Sequence, residues 1–154
     1  MALRKVAFFL SLVVALAGCA TKSTAERGAA YANKQLEQRG SPYRWSSTNF
    51  PDGSAVLQRE LIGTPCTTAA NATLQHDVLT SIGQFEVQNG GSATPELLGT
   101  RCISLVRSQV NEAWVIARGK EKMAYTVSFR PQASGGVAFE VHGPWGKAEL
   151  PTIC

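Results

Sequence analysis

Histidine and cysteine are scarce in this chain of 154 residues: two histidines and four cysteines. His76, His142, Cys19, Cys66, Cys102 and Cys154 are scattered without ligand spacing, which argues against a metal site. A nucleophile elbow, a phosphate loop and a zinc motif are all missing, so no cofactor is implied. Basic runs are missing too. The densest stretch, Lys120-Glu121-Lys122, is interrupted by an acid, and no nucleic-acid partner is expected. No apolar run reaches the roughly 20 residues that a membrane-spanning helix needs. Internal repeats, low-complexity blocks and a second domain are likewise absent.

These gaps leave little for catalysis, which needs a nucleophile with a base, a carboxylate pair or a metal. His76 adjoins Asp77 on an expected helix, where adjacent residues point apart and cannot form a dyad. His142 ends an expected strand beside Gly143 and reads as a surface residue. Glu140 and Glu149 could meet across a sheet, as many carboxylates do. No catalytic residue is assigned, and the chain is not expected to be an enzyme.

What the chain does carry begins at its start. Arg4 and Lys5 precede an apolar run from Val6 to Ala17, and small residues lead into Cys19. That is the layout of a secretory signal peptide. The tetrad Leu16-Ala17-Gly18-Cys19 resembles the lipobox of bacterial lipoproteins. The resemblance implies that the Cys19 sulfur takes a diacylglycerol, that cleavage falls before it, and that the new amine is acylated. Several acyl chains give a stable anchor at about 0.8 kcal/mol per buried CH₂. Ala20 follows the anchor where an aspartate would imply inner-membrane retention. In a Gram-negative host this implies the outer membrane, with the protein facing the periplasm.

Residues 1–18 are therefore read as a signal peptide, 19–23 as a lipidated tether, and 24–154 as a single periplasmic domain. The mature chain of 136 residues is long enough for one stable core. Its charge is nearly balanced, 13 basic against 11 acidic residues. With Cys19 lipidated, Cys66, Cys102 and Cys154 remain in an oxidising compartment, where one bridge is expected. Cys102 with Cys154 is favoured because it would tie down the C-terminal residue, for roughly 4 kcal/mol in the chain-entropy model. Cys66 with Cys154 is the rival.

In order, Ser23-Thr24-Ala25-Glu26 fits a capping box opening a helix to about Arg39, stopped by Gly40 and Pro42. Residues 42–62 read as a hairpin turning at Phe50-Pro51-Asp52-Gly53. Thr67 to Gly83 reads as a helix capped by Thr67 or Thr68, with Phe85 to Gln88 as a short strand. Thr94-Pro95-Glu96 reads as a further helix start, and Ile103, Val106, Val110, Ala113 and Trp114 as its buried face. Met123 to Arg130 and Val137 to His142 alternate as a hairpin, and Lys147 to Cys154 as an edge strand. The expected class is α+β: an antiparallel sheet of about four to five strands packed against one or two helices, preceded by an N-terminal helix.

This order of elements, ending in a strand with Cys154 and with a helix bearing Cys102 before it, resembles the small disulfide-bonded pilotins of type II secretion systems. That resemblance implies a lipoprotein that binds a segment of a secretin and carries it to the outer membrane. The leading expectation is a non-enzymatic binding protein for another envelope protein, touching it through Tyr43, Trp45 and Trp145, since aromatics are over-represented at interfaces. The alternatives are an inhibitor or immunity lipoprotein against a periplasmic toxin or lysozyme, and a peptidoglycan hydrolase.

Overall fold

A computed structural model describes residues 23–106 and 108–148. The expected signal peptide, the lipobox-like tetrad with Cys19, Glu149 and Cys154 lie outside the described residues, as does most of the expected last edge strand.

Helix α1 (Thr24–Gln38) starts on its capping box. The Ser23 hydroxyl accepts from the Glu26 amide at 3.2 Å, and the Glu26 carboxylate accepts from the Ser23 amide at 2.9 Å. It ends in a Schellman motif: the Ser41 amide donates to the Leu36 carbonyl and the Gly40 amide to that of Glu37, with Gly40 at φ +70°. Strands β1 (Tyr43–Asn49) and β2 (Ala55–Leu61) then form a two-stranded antiparallel sheet of their own, in register from Tyr43↔Leu61 to Asn49↔Ala55. Gly53 at φ +82° makes the tip, as the turn chemistry implied.

The second sheet has five antiparallel strands in the order β3 (Thr64–Pro65), β4 (Leu97–Val106), β5 (Gln109–Arg118), β6 (Glu121–Pro131) and β7 (Val137–His142). Helix α2 (Ala72–Gln88) covers one face. The core there joins Val78 and Ile82 of α2 to Trp114, Ile116, Tyr125, Val127 and Phe129. On the opposite face a smaller cluster of Tyr43, Val115, Ala124 and Ala148 joins the sheet to the β1–β2 hairpin. The class is α+β, with two helices and two antiparallel sheets instead of the single sheet expected.

Three local expectations are corrected. The cap of α2 is Asn71, whose side chain accepts from the Leu74 amide at 2.9 Å, and not Thr67 or Thr68. The helix runs through Gly83 to Gln88, so Phe85 to Gln88 is helical and not a strand. Gly83 marks a close approach: a Cβ there would stand 2.1 Å from the Ala93 carbonyl oxygen.

The third correction is the largest, for the expected helix after Pro95 is the β4–β5 hairpin. A bulge between Cys102 and Ser104 sets Arg101 and Ser104 opposite Ala113 and Asn111, hence on one face. Their spacing of three imitates a helix. Beyond it, Glu112 to Ile116 is buried on both faces, which hides the period of two. The turn uses Ser108 at φ +67°, with no glycine to announce it.

Candidate functional site

The two edges of the β1–β2 sheet are treated differently. In an antiparallel pair, alternate residues turn their N–H and C=O to the partner and the others turn them outward. Here the Phe50 amide donates to Ser54 and the Ile62 amide to Pro42, so even-numbered residues pair and odd-numbered residues face out. On β1 the outward groups of Trp45 are taken by one side chain from α1. The Asn33 amide donates to the Trp45 carbonyl at 2.8 Å and accepts from its N–H at 2.6 Å. At the far end, Asn49 donates to the Glu26 carboxylate at 2.9 Å. Helix α1 therefore lies along this edge and closes it.

The outer edge of β2 has no such cover. The outward groups of Ala55, Leu57 and Arg59 make no backbone hydrogen bond among the described residues. Ala55 to Glu60 are all exposed, including Val56 at 46% and Leu57 at 48%, with Phe50 exposed at the tip. Long, open, apolar edges are normally blunted by charge, bulges or cover, because they template pairing with another chain. Both outer strands carry charge, Arg59 and Glu60 on β2 and Glu140 on β7, but β7 is also followed directly by Gly143-Pro144.

Tyr43, Trp45 and Trp145 are brought to one side of the hairpin, but in different roles. Tyr43 is buried, with its hydroxyl donating to the Lys147 carbonyl at 2.8 Å and the Arg59 guanidinium 4.4 Å over its ring. Trp145 packs against the same cluster, and its buried Nε1 has no hydrogen-bond partner among the described residues. These two bind the hairpin to the large sheet. Trp45, two residues along the same face from Tyr43, is half-buried. On β2, Val56, Leu57 and Arg59 are exposed. Their sequence signal was the adjacent pair Val56-Leu57, which puts an apolar side chain on each face of one strand.

A polar cleft of about 570 Å³ lies on the face of the large sheet away from α2, beside the α1–β1 connection. Its groups are largely engaged with each other. Asn111 accepts from Ser128 at 2.7 Å and donates to Ser104 at 3.0 Å. Arg130 donates to Gln109 at 3.0 Å and to Glu140 at 3.2 Å, with His142 at 3.8 Å from the same carboxylate. Thr126 stands opposite His142 in the β6–β7 register, and its hydroxyl donates to the Gly40 carbonyl at 2.9 Å. His76 is exposed on α2 next to Asp77, away from these groups.

Ionisable groups are also buried between α2 and the sheet. Glu86 pairs with Arg118 through two hydrogen bonds at 2.5 and 2.6 Å and accepts from the Tyr125 hydroxyl. Burial is the largest single influence on the Glu86 carboxyl and pushes it up. The hydrogen bonds from Arg118 and Tyr125 and the charge of Arg118 together outweigh it, so the carboxyl is held below its ordinary range. Burial first, and then the Glu86 carboxylate, push the Tyr125 phenol well up. The carboxylate of Glu112 is fully buried and accepts from the Trp114 indole at 2.8 Å and the Ala69 amide at 2.7 Å.

Beside Glu112 the sulfurs of Cys66 and Cys102 are joined in a disulfide. This corrects the favoured pairing: Cys102 is bonded to Cys66 and not to Cys154, and it lies on a strand. The rival pairing of Cys66 with Cys154 is overturned by the same bond. Thr64↔Cys102 and Pro65↔Arg101 pair β3 with β4, which brings the two cysteines together. Both sulfurs are spent in this bond and offer no thiolate to a metal. Among the described residues, no helix is long and apolar enough to cross a membrane. No family model, curated protein or solved structure matches the chain.

Proposed function

We propose that this chain is an outer-membrane-anchored periplasmic lipoprotein that works without catalysis, by binding another protein of the envelope through the β1–β2 hairpin. In its sharpest form the role is pilotin-like: helping a secretion-system component to assemble at the outer membrane. The anchor is acylated Cys19, which holds the folded body at the bilayer surface. The observation that carries the binding role is the contrast between the two edges of one small sheet: the β1 edge closed by Asn33, the β2 edge open with Val56 and Leu57 exposed. An open edge exposes the protein to unwanted pairing, and a partner strand removes that hazard while giving affinity through main-chain hydrogen bonds.

The test has two arms. Mass spectrometry of the mature protein should find acyl chains at Cys19, and the Cys19→Ser variant should leave the membrane fraction. Crosslinking in intact envelopes followed by purification of the chain should recover one protein reproducibly. Unchanged fractionation of Cys19→Ser refutes the anchor. Recovery of no specific protein, together with activity on cell-wall substrate, refutes the binding role.

A further inference from the structure

We propose that the open edge of β2 takes an antiparallel strand from a partner protein, with an acidic residue opposite Arg59 and an apolar residue opposite Leu57. This rests on the binding role above and adds to it a site, a geometry and a chemistry. Along β2 the residues that turn N–H and C=O outward are Ala55, Leu57 and Arg59, and an incoming strand bonds to these. Their side chains share one face, while Val56, Gln58 and Glu60 share the other. On the first face stand exposed Leu57 and the exposed guanidinium of Arg59.

The guanidinium is already positioned. It stacks 4.4 Å over the Tyr43 ring and donates to the Lys147 carbonyl at 3.3 Å, and no carboxylate among the described residues pairs with it. A planar donor held in this way favours a carboxylate. On the second face, Glu60 accepts from the Ser46 hydroxyl at 2.8 Å through one oxygen, and Val56 is exposed. Read from its N-terminus, the partner strand therefore carries an acid opposite Arg59, any residue opposite Gln58, and apolar residues opposite Leu57 and Val56.

Charge separates this partner from a second copy of the chain. Two β2 edges related by a two-fold axis pair residues whose numbers sum to an even value, because both members of a pair must face the same way. Arg59 then meets Ala55, Leu57, Arg59 or Leu61 of the other copy and never Glu60. Self-pairing leaves the guanidinium without an acid in every register. A strand of different sequence has no such constraint.

The experiment uses the mature lipidated chain in detergent and two fluorescent hexapeptides, Thr-Glu-Thr-Val-Val-Thr and Thr-Lys-Thr-Val-Val-Thr, read by anisotropy. The glutamate peptide should bind at least tenfold more tightly than the lysine peptide. Arg59→Glu should invert that preference. Leu57→Pro removes one outward N–H without touching the β1 ladder and should abolish binding of both, with circular dichroism checking that each variant is folded. Equal binding of the two peptides, unchanged binding to Leu57→Pro, or no binding at all overturns the inference. Self-association that Leu57→Pro abolishes, without peptide binding, assigns the edge to a second copy and overturns it too. If envelope crosslinking recovers the same protein from Leu57→Pro as from the unaltered chain, the binding role survives and only the edge pairing fails.

Discussion

The Asn33 side chain does for Trp45 what a neighbouring strand would do, accepting from its N–H at 2.6 Å and donating to its carbonyl at 2.8 Å. One amide thus satisfies two backbone groups at a strand edge and fixes α1 along β1. Asn33→Ala removes both bonds at once. It should cost about 1–3 kcal/mol, the range for a pair of hydrogen bonds at a partly buried site. Thermal melting checks it, and Asn33→Asp, which keeps only an acceptor, should fall between.

Gly83 should resist the usual helix stabilisation. Glycine to alanine inside a helix ordinarily gains about 1 kcal/mol. Here the new Cβ would stand 2.1 Å from the Ala93 carbonyl oxygen, a backbone atom, so the segment after α2 must move. Gly83→Ala should destabilise by about 1–3 kcal/mol, in the range of overpacked sites. Gly28→Ala, with nothing within 4 Å of the added Cβ, should stabilise. Denaturant melts of the two variants should move in opposite directions.

What could be read ahead of the structure followed from how local each signal was. The capping box at Ser23, the Phe50–Gly53 turn and the pairing of β6 with β7 depend on neighbours in sequence, and each is present, although Thr126 and Ser128, on the face of β6 expected to be wet, are buried. The β4–β5 hairpin was hidden because a bulge after Cys102 and two-sided burial around Trp114 both erase the period of two. The helix expected to end at Gly83 runs on to Gln88, and the close approach of the Ala93 backbone to Gly83 involves residues a loop away. The open edge of β2 carried no local signal for a related reason. Tyr43 and Trp145 drew attention as large aromatics, but aromatic size says nothing about which ones the hairpin buries against the sheet. The open edge is a property of topology: it exists only because β2 has β1 on one side and no strand on the other.

The disulfide should be found between Cys66 and Cys102 by mass spectrometry of the unreduced, digested protein. The loop it closes separates the cysteines by 36 residues, for which chain entropy gives about 4 kcal/mol. Replacing both cysteines with serine should cost roughly that much, while Cys154→Ser should leave the bond in place.

Stability should fall at both ends of the pH scale through two hydrogen-bonded buried groups, Glu86 and Tyr125. The Glu86 carboxyl is held below its ordinary 4.5 in the fold. Its contribution is therefore complete above that value and is lost as pH drops through the lowered one. The Tyr125 phenol is raised above its ordinary 10.0, so its contribution is present below pH 10.0 and is lost as pH climbs towards the raised value. Arg118→Leu strands the fully buried Glu86 carboxylate and should cost about 3–5 kcal/mol at neutral pH. In that variant the acid limb should reverse, with stability recovering as Glu86 is protonated. Urea midpoints across pH measure both.

The most direct test of the docking edge is a photo-crosslinking amino acid placed at Leu57 in living envelopes, beside a control at Tyr31, which is 71% exposed on α1. A single adduct of defined mass from position 57, absent from position 31, is the expected result. Adducts of the same identity from both positions, or none from position 57 while the polar cleft around Asn111 gives one, would contradict it.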